Sequence, residues 1–248
     1  MTPKADLSAL THRSVLDAIA ESDTLGRAAF LQRRGFAQAK NYRLVHEGRF
    51  YDSKAIVGVA HGYATGDFVD NTGFSGGLAT VAECLSRLGF VVDHGAKGAS
   101  GGLLWELEAN TRVFTGNGRS AAYKYVVLLW AVVRDRRSPG PAAFSEVRKE
   151  LADYLAPFAV ADSPPDPIDP WVALRNSGWW TLHLPEGVDS ASVTSRDAKS
   201  ITRSDGLKAG LSVSVRSRLK NDAWRAEATA VLLRRINELA ERNPAPTR

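Results

Sequence analysis

Apolar residues recur at helical spacing in several separated blocks of the chain. Thr11 can cap a helix that begins near His12, with Val15, Leu16 and Ile19 as its apolar stripe. Residues 25–34 predict a second helix, with Leu25, Ala28, Ala29 and Leu31 turned inward and Gly35 ending it. The period then changes to alternation. Tyr42-Arg43-Leu44-Val45 and Arg49-Phe50-Tyr51 flank Glu47-Gly48, a hairpin pattern in which glycine accepts the positive φ of a tight turn. Asp52 or Ser53 opens a short helix through Lys54, Ile56, Val57 and Val59. Residues 62–77 read as a glycine-rich loop, residues 78–88 as a helix carrying Cys84, and residues 89–92 as a short strand.

Residues 93–102 supply four glycines, two alanines and a serine and little that can enter a core, so they read as a linker. Beyond them, residues 123–133 predict a strongly apolar helix with Leu129 and Trp130 in its core, and residues 144–155 predict another. Five prolines within residues 157–170 exclude a regular helix through that interval. Residues 172–174 and 179–184 read as strands around Ser177-Gly178, residues 190–208 as a long polar loop, and residues 212–218 and 222–240 as helices. The expected fold class is α+β. A small α+β head domain (residues 1–92) is followed by the linker and by a mainly helical domain with short strands (residues 103–248).

Charge sharpens this division. Lysine and arginine exceed aspartate and glutamate by 32 to 27. Residues 1–95 carry ten basic and ten acidic side chains, residues 96–149 nine against four, residues 150–190 one against seven, and residues 191–248 twelve against six. The excess positive charge therefore lies in two blocks of the second domain, which suits a polyanionic partner.

Catalytic and metal chemistry find little support. Cys84 is the single cysteine, which excludes an intrachain disulfide and a CxxC zinc site. His12, His46, His61, His94 and His183 lack short ligand spacings, so neither metal nor cofactor is expected. His61 can meet Asp52 or Asp67 only through folding, and its place at the end of an apolar helix suits a structural role. Phe74-Ser75-Gly76-Gly77 fits neither a phosphate loop nor a dinucleotide-binding turn. No apolar run reaches the roughly 18 residues of a membrane span, and the start of the chain lacks a signal-like apolar core. The expectation is a cytoplasmic protein with no membrane partner, associated with the nucleoid when bound to DNA.

Three constellations point to double-stranded DNA. Arg119, Tyr123 and Lys124 lead into the apolar helix, where a buried helix can hold basic side chains toward phosphates. Pro170, Trp171, Ala173, Arg175 and Asn176 combine an apolar corner with hydrogen-bond donors, although Trp171, Leu174, Trp179 and Trp180 equally suit a core. Arg196, Lys199, Arg203 and Lys208 stand among short hydroxyl side chains in the polar loop. In the head, Arg49 and Lys54 are the candidate phosphate contacts.

These residues resemble the sulfur-binding domain of McrA-like type IV restriction proteins over about residues 103–240. The resemblance runs through Tyr123-Lys124-Tyr125 with Leu128-Leu129-Trp130, then Asp169-Pro170-Trp171-Val172-Ala173, Gly178-Trp179-Trp180, the 190–208 loop and Gly210-Leu211-Ser212. It implies recognition of phosphorothioate DNA, in which sulfur replaces a non-bridging phosphate oxygen. The proline and alanine of the family's apolar sulfur cup fall on Pro170 and Ala173. Asp169 stands where the family has an aromatic wall, Tyr123-Lys124 replaces a His-Arg pair, and Trp171 is the candidate replacement wall. Tyr51-Asp52-Ser53-Lys54-Ala55-Ile56 and Phe74-Ser75-Gly76-Gly77 resemble the head domain of the same proteins.

The resemblance implies a reader of modified DNA rather than an enzyme. An HNH nuclease domain would lie downstream in a longer polypeptide or on a partner. A reader of methylated bases, a non-specific DNA binder, and a protein-interaction module using Trp171, Trp179 or Trp180 are the alternatives.

Overall fold

A computed structural model describes residues 5–39, 42–74, 81–94, 102–109, 115–116, 119–190, 192–202 and 206–243. The chain divides into two units, Met1–Trp105 and Glu106–Arg248.

In the first unit, α1 (His12–Leu25) starts at a reciprocal cap. The Thr11 hydroxyl accepts from the Ser14 N–H, and the Ser14 hydroxyl accepts from the Thr11 N–H. Gly26, at φ 75°, breaks the chain before α2 (Arg27–Arg33). That break resets the helical phase, so Phe30 and Leu31 are buried while Ala28 and Ala29, expected inward, are exposed.

The hairpin forms as its alternation predicts. β1 (Tyr42–His46) and β2 (Arg49–Asp52) pair antiparallel, and positive φ at both Glu47 and Gly48 gives the turn the twist that strands favour. β3 (Val91–His94) pairs with the other edge of β1, so Asp93 and His94 continue a strand.

Next, α3 (Ser53–Thr65) is longer than its apolar pattern suggests and absorbs Gly62, expected at the start of the glycine-rich loop. The reason is packing. A Cβ at Gly62 would lie 2.2 Å from the Phe68 ring, so the glycine admits the returning chain against the helix. α3 packs along α1, and Val15, Phe30, Leu44, Ile56 and Leu85 join in one apolar core. α4 (Glu83–Arg87) carries buried Cys84, while Ser75, Gly76, Gly77 and the expected start of that helix lie outside the described residues. The N–H of Trp105, in α5 (Leu103–Ala109), donates to buried Asp93 at 2.7 Å.

The second unit opens with a minimal pair, β4 (Thr115–Gly116) and β5 (Arg119–Ser120). Helix α6 (Tyr123–Asp135) packs against α11 (Asp222–Glu241) and against α8 (Ile168–Ala173). Between them run β6 (Ala142–Ala143), α7 (Phe144–Leu155), β7 (Trp180–His183), α9 (Ser195–Thr202), β8 (Lys208–Leu211) and α10 (Val213–Arg218). The strands form an antiparallel sheet in the order β6-β8-β7, with Trp180 opposite Leu211.

Fully buried Trp171 is the hub of the second core. Its ring centroid lies 5.0 Å from Trp180, 5.3 Å from Phe144 and 6.0 Å from Trp130, and Trp179 stacks on Trp224 at 5.6 Å. Leu129, expected in the core, is only half-buried.

Two expectations change here. Residues 172–174 end α8 and begin the 3-10 turn Leu174–Asn176 instead of forming a strand. Pro170 permits this because it occupies the first helical turn, where a missing N–H costs no helical hydrogen bond. The polar loop of residues 190–208 contains α9 and leads into β8.

Candidate nucleic-acid interface

The first basic constellation is fixed from beneath. Ala121 and Ala122 are buried, and the Tyr123 hydroxyl accepts the Val160 N–H at 3.2 Å, tying the start of α6 to the segment after α7. One residue on, Lys124 is half-buried, and desolvation pushes its ammonium below the ordinary lysine range. Buried Tyr125 donates to the Leu107 carbonyl at 3.0 Å and locks the same turn. Arg119, in β5, enters through its backbone, paired with Gly116 of β4. The neighbouring Ser120 exchanges hydrogen bonds with the Asn243 amide at 3.3 and 2.7 Å.

The second constellation is α8 and its exit turn. Trp171, Val172 and Leu174 face the core. Asp169 and Ala173, four residues apart and hence on one helical face, are exposed and half-buried respectively, and Asn176 follows them exposed. Pro170 is buried beside this face. Arg175 is half-buried and donates to the Val172 carbonyl at 3.2 Å. Beyond it, Gly178 is held at both polar groups: its N–H donates to Glu106 at 2.7 Å, and the Ser212 hydroxyl donates to its carbonyl at 2.7 Å.

α9 completes the arrangement, because it packs on α8 as α8 packs on α6. Thr194 and Asp197 form a reciprocal cap at its start, buried Ala198 and Val193 anchor it, and Arg196 and Lys199 are exposed. The Lys199 ammonium bonds Asp166, just ahead of α8, at 2.8 Å. Burial is the largest influence on Asp166 and pushes it up. The Lys199 hydrogen bond, the Ile168 N–H and the charges of Lys199 and Arg148 together hold it below the ordinary carboxylate value. Lys208 is exposed in β8, opposite His183, whereas Arg203 lies outside the described residues.

The fold thus assembles α6, α8 and α9 around the Pro170–Ala173 corner. It removes Trp171 from any exposed role, since its ring is enclosed in the core. It also adds Arg148, an exposed cation on α7 within electrostatic reach of Asp166 and Lys199. Only the unexplained exposure of a basic side chain on an amphipathic helix could have flagged it.

In the head, Arg49 pairs with Asp23 at 3.4 Å, and Lys54 donates to the Asn71 carbonyl and side chain at 2.6 and 2.9 Å. Burial, then the Asp23 carboxylate, pushes the Tyr51 hydroxyl beside Arg49 up to about 12.

Residues 8–94 match the ScoMcrA-like N-terminal head domain, and residues 103–243 match the ScoMcrA-like DNA sulfur-binding domain. The chain belongs to the ScoMcrA-like DNA sulfur-binding family. These matched parts of the sulfur-binding protein are a head and a reader domain, with no nuclease domain among them.

It is similar to the type IV phosphorothioation-dependent restriction endonuclease ScoMcrA at 26% identity and a TM-score of 0.46, over 95% of this chain. It spans 39% of that endonuclease's length. The sulfur-binding domain of SprMcrA complexed with phosphorothioated DNA is 20% identical, covering 58% of this chain and 85% of its own, with a TM-score of 0.42. That of ScoMcrA, also complexed with phosphorothioated DNA, is 22% identical over 57% and 89%, with a TM-score of 0.46. No curated protein matches this chain. Among the described residues no helix is long and apolar enough to cross a membrane.

The three tryptophans of a protein-interaction module cannot serve as exposed anchors, because Trp171, Trp179 and Trp180 are all buried.

Proposed function

We propose that this sulfur-binding protein reads phosphorothioate-modified duplex DNA and performs no catalysis itself. The observation that carries the reading is the outward face of α8 in a chain of the DNA sulfur-binding family. There Ala173 offers a small half-buried apolar surface beside Pro170, and both α6 and α9 pack against the same helix.

A sulfur atom is larger and less strongly hydrated than the oxygen it replaces, so it gains from apolar contact that costs an oxygen its solvation. Ala173 and the edge of Pro170 supply that contact. Lys124, Arg196, Lys199 and Lys208 supply phosphate attraction, with Arg119, Arg203, Arg175 and Asn176 as further backbone or groove contacts. Trp171 acts beneath the corner, holding α8 in place. Arg49 and Lys54 of the head contact DNA only by exchanging their present partners.

The protein acts in the cytoplasm on nucleoid DNA. The cleavage that follows recognition belongs to a nuclease domain, of HNH type, elsewhere in a longer polypeptide or on a partner.

The test is binding to three otherwise identical duplexes, carrying one phosphorothioate, one methylcytosine or neither. Preference for the phosphorothioate duplex is expected. Lys124→Ala should weaken binding to all three and lower the salt slope by about 0.9. Equal affinity for the three duplexes defeats the sulfur reading, and an unchanged salt slope removes Lys124 from it.

A further inference from the structure

Residues 206–221 carry four basic side chains and no acidic one, and of these four only Lys208 belongs to the constellations described above. The stretch forms β8 and α10. Val215 and Leu219, four residues apart, are buried and seat α10 on the core. Val213, Ser214, Ser217 and Lys220 are exposed, and Arg216 is half-buried.

Both ends of α10 are held. Its N-cap Ser212 donates its hydroxyl to the Gly178 carbonyl at 2.7 Å and its N–H to the Trp179 carbonyl at 2.8 Å, directly after the turn that carries Arg175 and Asn176. At the far end the Leu219 carbonyl accepts from Arg225 at 3.0 Å, and the same guanidinium donates to the Val132 carbonyl at 3.0 Å and to Asp135 at 3.3 Å. α10 therefore runs from the exit turn of α8 to the C-terminal end of α6. Arg136 and Arg137 follow that end at once.

Little of the positive charge here is spent inside the protein. Asp135 is taken by Arg225, with both side chains mostly buried. Asp222 meets Arg136 at 3.4 Å, with side chains 90% and 64% exposed, a pair that water and salt screen. Arg137 and Lys220 are exposed with no ion-pair partner among the described residues. Cations near a helix C-terminus often serve its free carbonyls, but Arg225 already does so on Val132 of α6 and on Leu219 after α10.

We infer that α10 and the end of α6 form a second contact strip for duplex DNA, along which Arg216, Lys220 and Arg137 meet the phosphates leading away from the α8 corner. The inference rests on the reading of that corner as a DNA contact. A helix the length of α10 extends about 9 Å, and the phosphates of one strand recur about every 3.4 Å along the duplex axis, so the strip spans roughly two or three of them. A row of cations fits a regular polyanion, whereas a compact anion needs only one or two. Val213, Ser214 and Ser217, exposed on the same helix, are uncharged and set no repulsion against the DNA backbone.

The test is the salt dependence of binding by the full chain to phosphorothioate and unmodified duplexes. Arg137→Ala combined with Lys220→Ala should weaken binding to both alike and lower the salt slope by about 1.8, at about 0.9 per phosphate. Lys220→Arg should keep the slope. Trimming the duplex close to the phosphorothioate should abolish the effect of the double variant on one side of the modification and preserve it on the other.

Both substituted residues are exposed, so the core stays in place, and thermal unfolding checks that it does. An unchanged slope in the double variant, whether or not its melting temperature falls, overturns the inference and leaves these cations to helix ends or to an acidic protein. A lowered slope in a protein without phosphorothioate preference defeats the sulfur reading and keeps the strip. Phosphorothioate preference with an unchanged slope does the reverse.

Discussion

The two units spend their charge differently. In the head, four basic side chains are turned onto the unit's own acceptors: Arg27 onto Asp52 at 2.7 Å, Arg34 onto Glu21 at 2.7 Å, Arg49 onto Asp23 at 3.4 Å and Lys54 onto Asn71 at 2.6 Å. The sulfur-binding unit likewise turns Arg225 onto Asp135 and Arg234 and Arg235 onto Glu238, but beside α8 it leaves Arg148 and Arg196 exposed, with Lys199 latched to a single carboxylate and Lys208 exposed on β8. A count of charged residues says how much charge a segment holds. Only the partners say how much of it can reach another molecule.

The largest test of this contrast is Trp171→Ala, which should cost the second unit about 3–5 kcal/mol by emptying the centre of its aromatic cluster. Trp171→Phe should cost less, since it keeps a ring there and deletes an indole N–H that is buried with no hydrogen-bond partner among the described residues. Hydrogen exchange resolved by segment checks this. Equal loss of protection in both units would merge them into one cooperative block and break the comparison.

Asp52→Asn should follow, destabilising the head by roughly 2–3 kcal/mol. That is below the about 3–5 kcal/mol for breaking a fully buried pair, because the Arg27 side chain is 39% exposed and can rehydrate. Burial is the largest influence on Asp52 and pushes it up. The Arg27 hydrogen bond, the Ala39 N–H and the charges of Arg27 and Arg43 outweigh burial and hold it below the ordinary carboxylate value. A depressed folded-state value means that the stabilisation is complete above the unfolded pKa and disappears as pH falls through the folded one. Thermal unfolding of the head should therefore show an acid loss, below about pH 4, that the asparagine variant lacks.

Smaller effects should mark the reader. Lys124 has the opposite sign: its depressed ammonium is lost as pH rises, before an ordinary lysine would deprotonate at about 10.4. DNA affinity should fall in that alkaline range, and Lys124→Arg should flatten the fall. Stability follows the other way, rising as pH passes the folded value, because the half-buried site favours neutral lysine.

Least of all, Asp166→Asn and Asp169→Asn should each raise affinity for DNA about two- to five-fold, the scale of one exposed charge interaction. Titration of phosphorothioate and unmodified duplexes checks this. If Asp169→Asn helps both equally, Asp169 is a general electrostatic brake. A gain confined to one duplex makes it a determinant of sulfur preference.

Much of this fold was legible because its signals are local. The Thr11 cap, the Glu47-Gly48 turn, the apolar run of α6 and the amphipathic pattern of α7 are each decided within a few residues. The misreadings share a different cause. Gly62 resembles a loop residue until Phe68 packs against it, and residues 172–174 resemble a strand until Trp171 finds Trp130, Phe144 and Trp180. β8 combines lysine, alanine and glycine, with little intrinsic preference for a strand, and exists because β6 and β7 flank it.

By itself, then, the sequence determined the first hairpin, the main helices, the location of excess positive charge and the family to which the corner belongs, since these depend on local pattern and motif order. The tertiary structure alone decided which groups are available. Burial enclosed Trp171 and most of Pro170, left Ala173 partly open, bound Lys199 to Asp166, and brought in Arg148 from a helix that no motif had marked. Availability is set by distances and solvent exposure between residues far apart in the chain, and no local pattern encodes them.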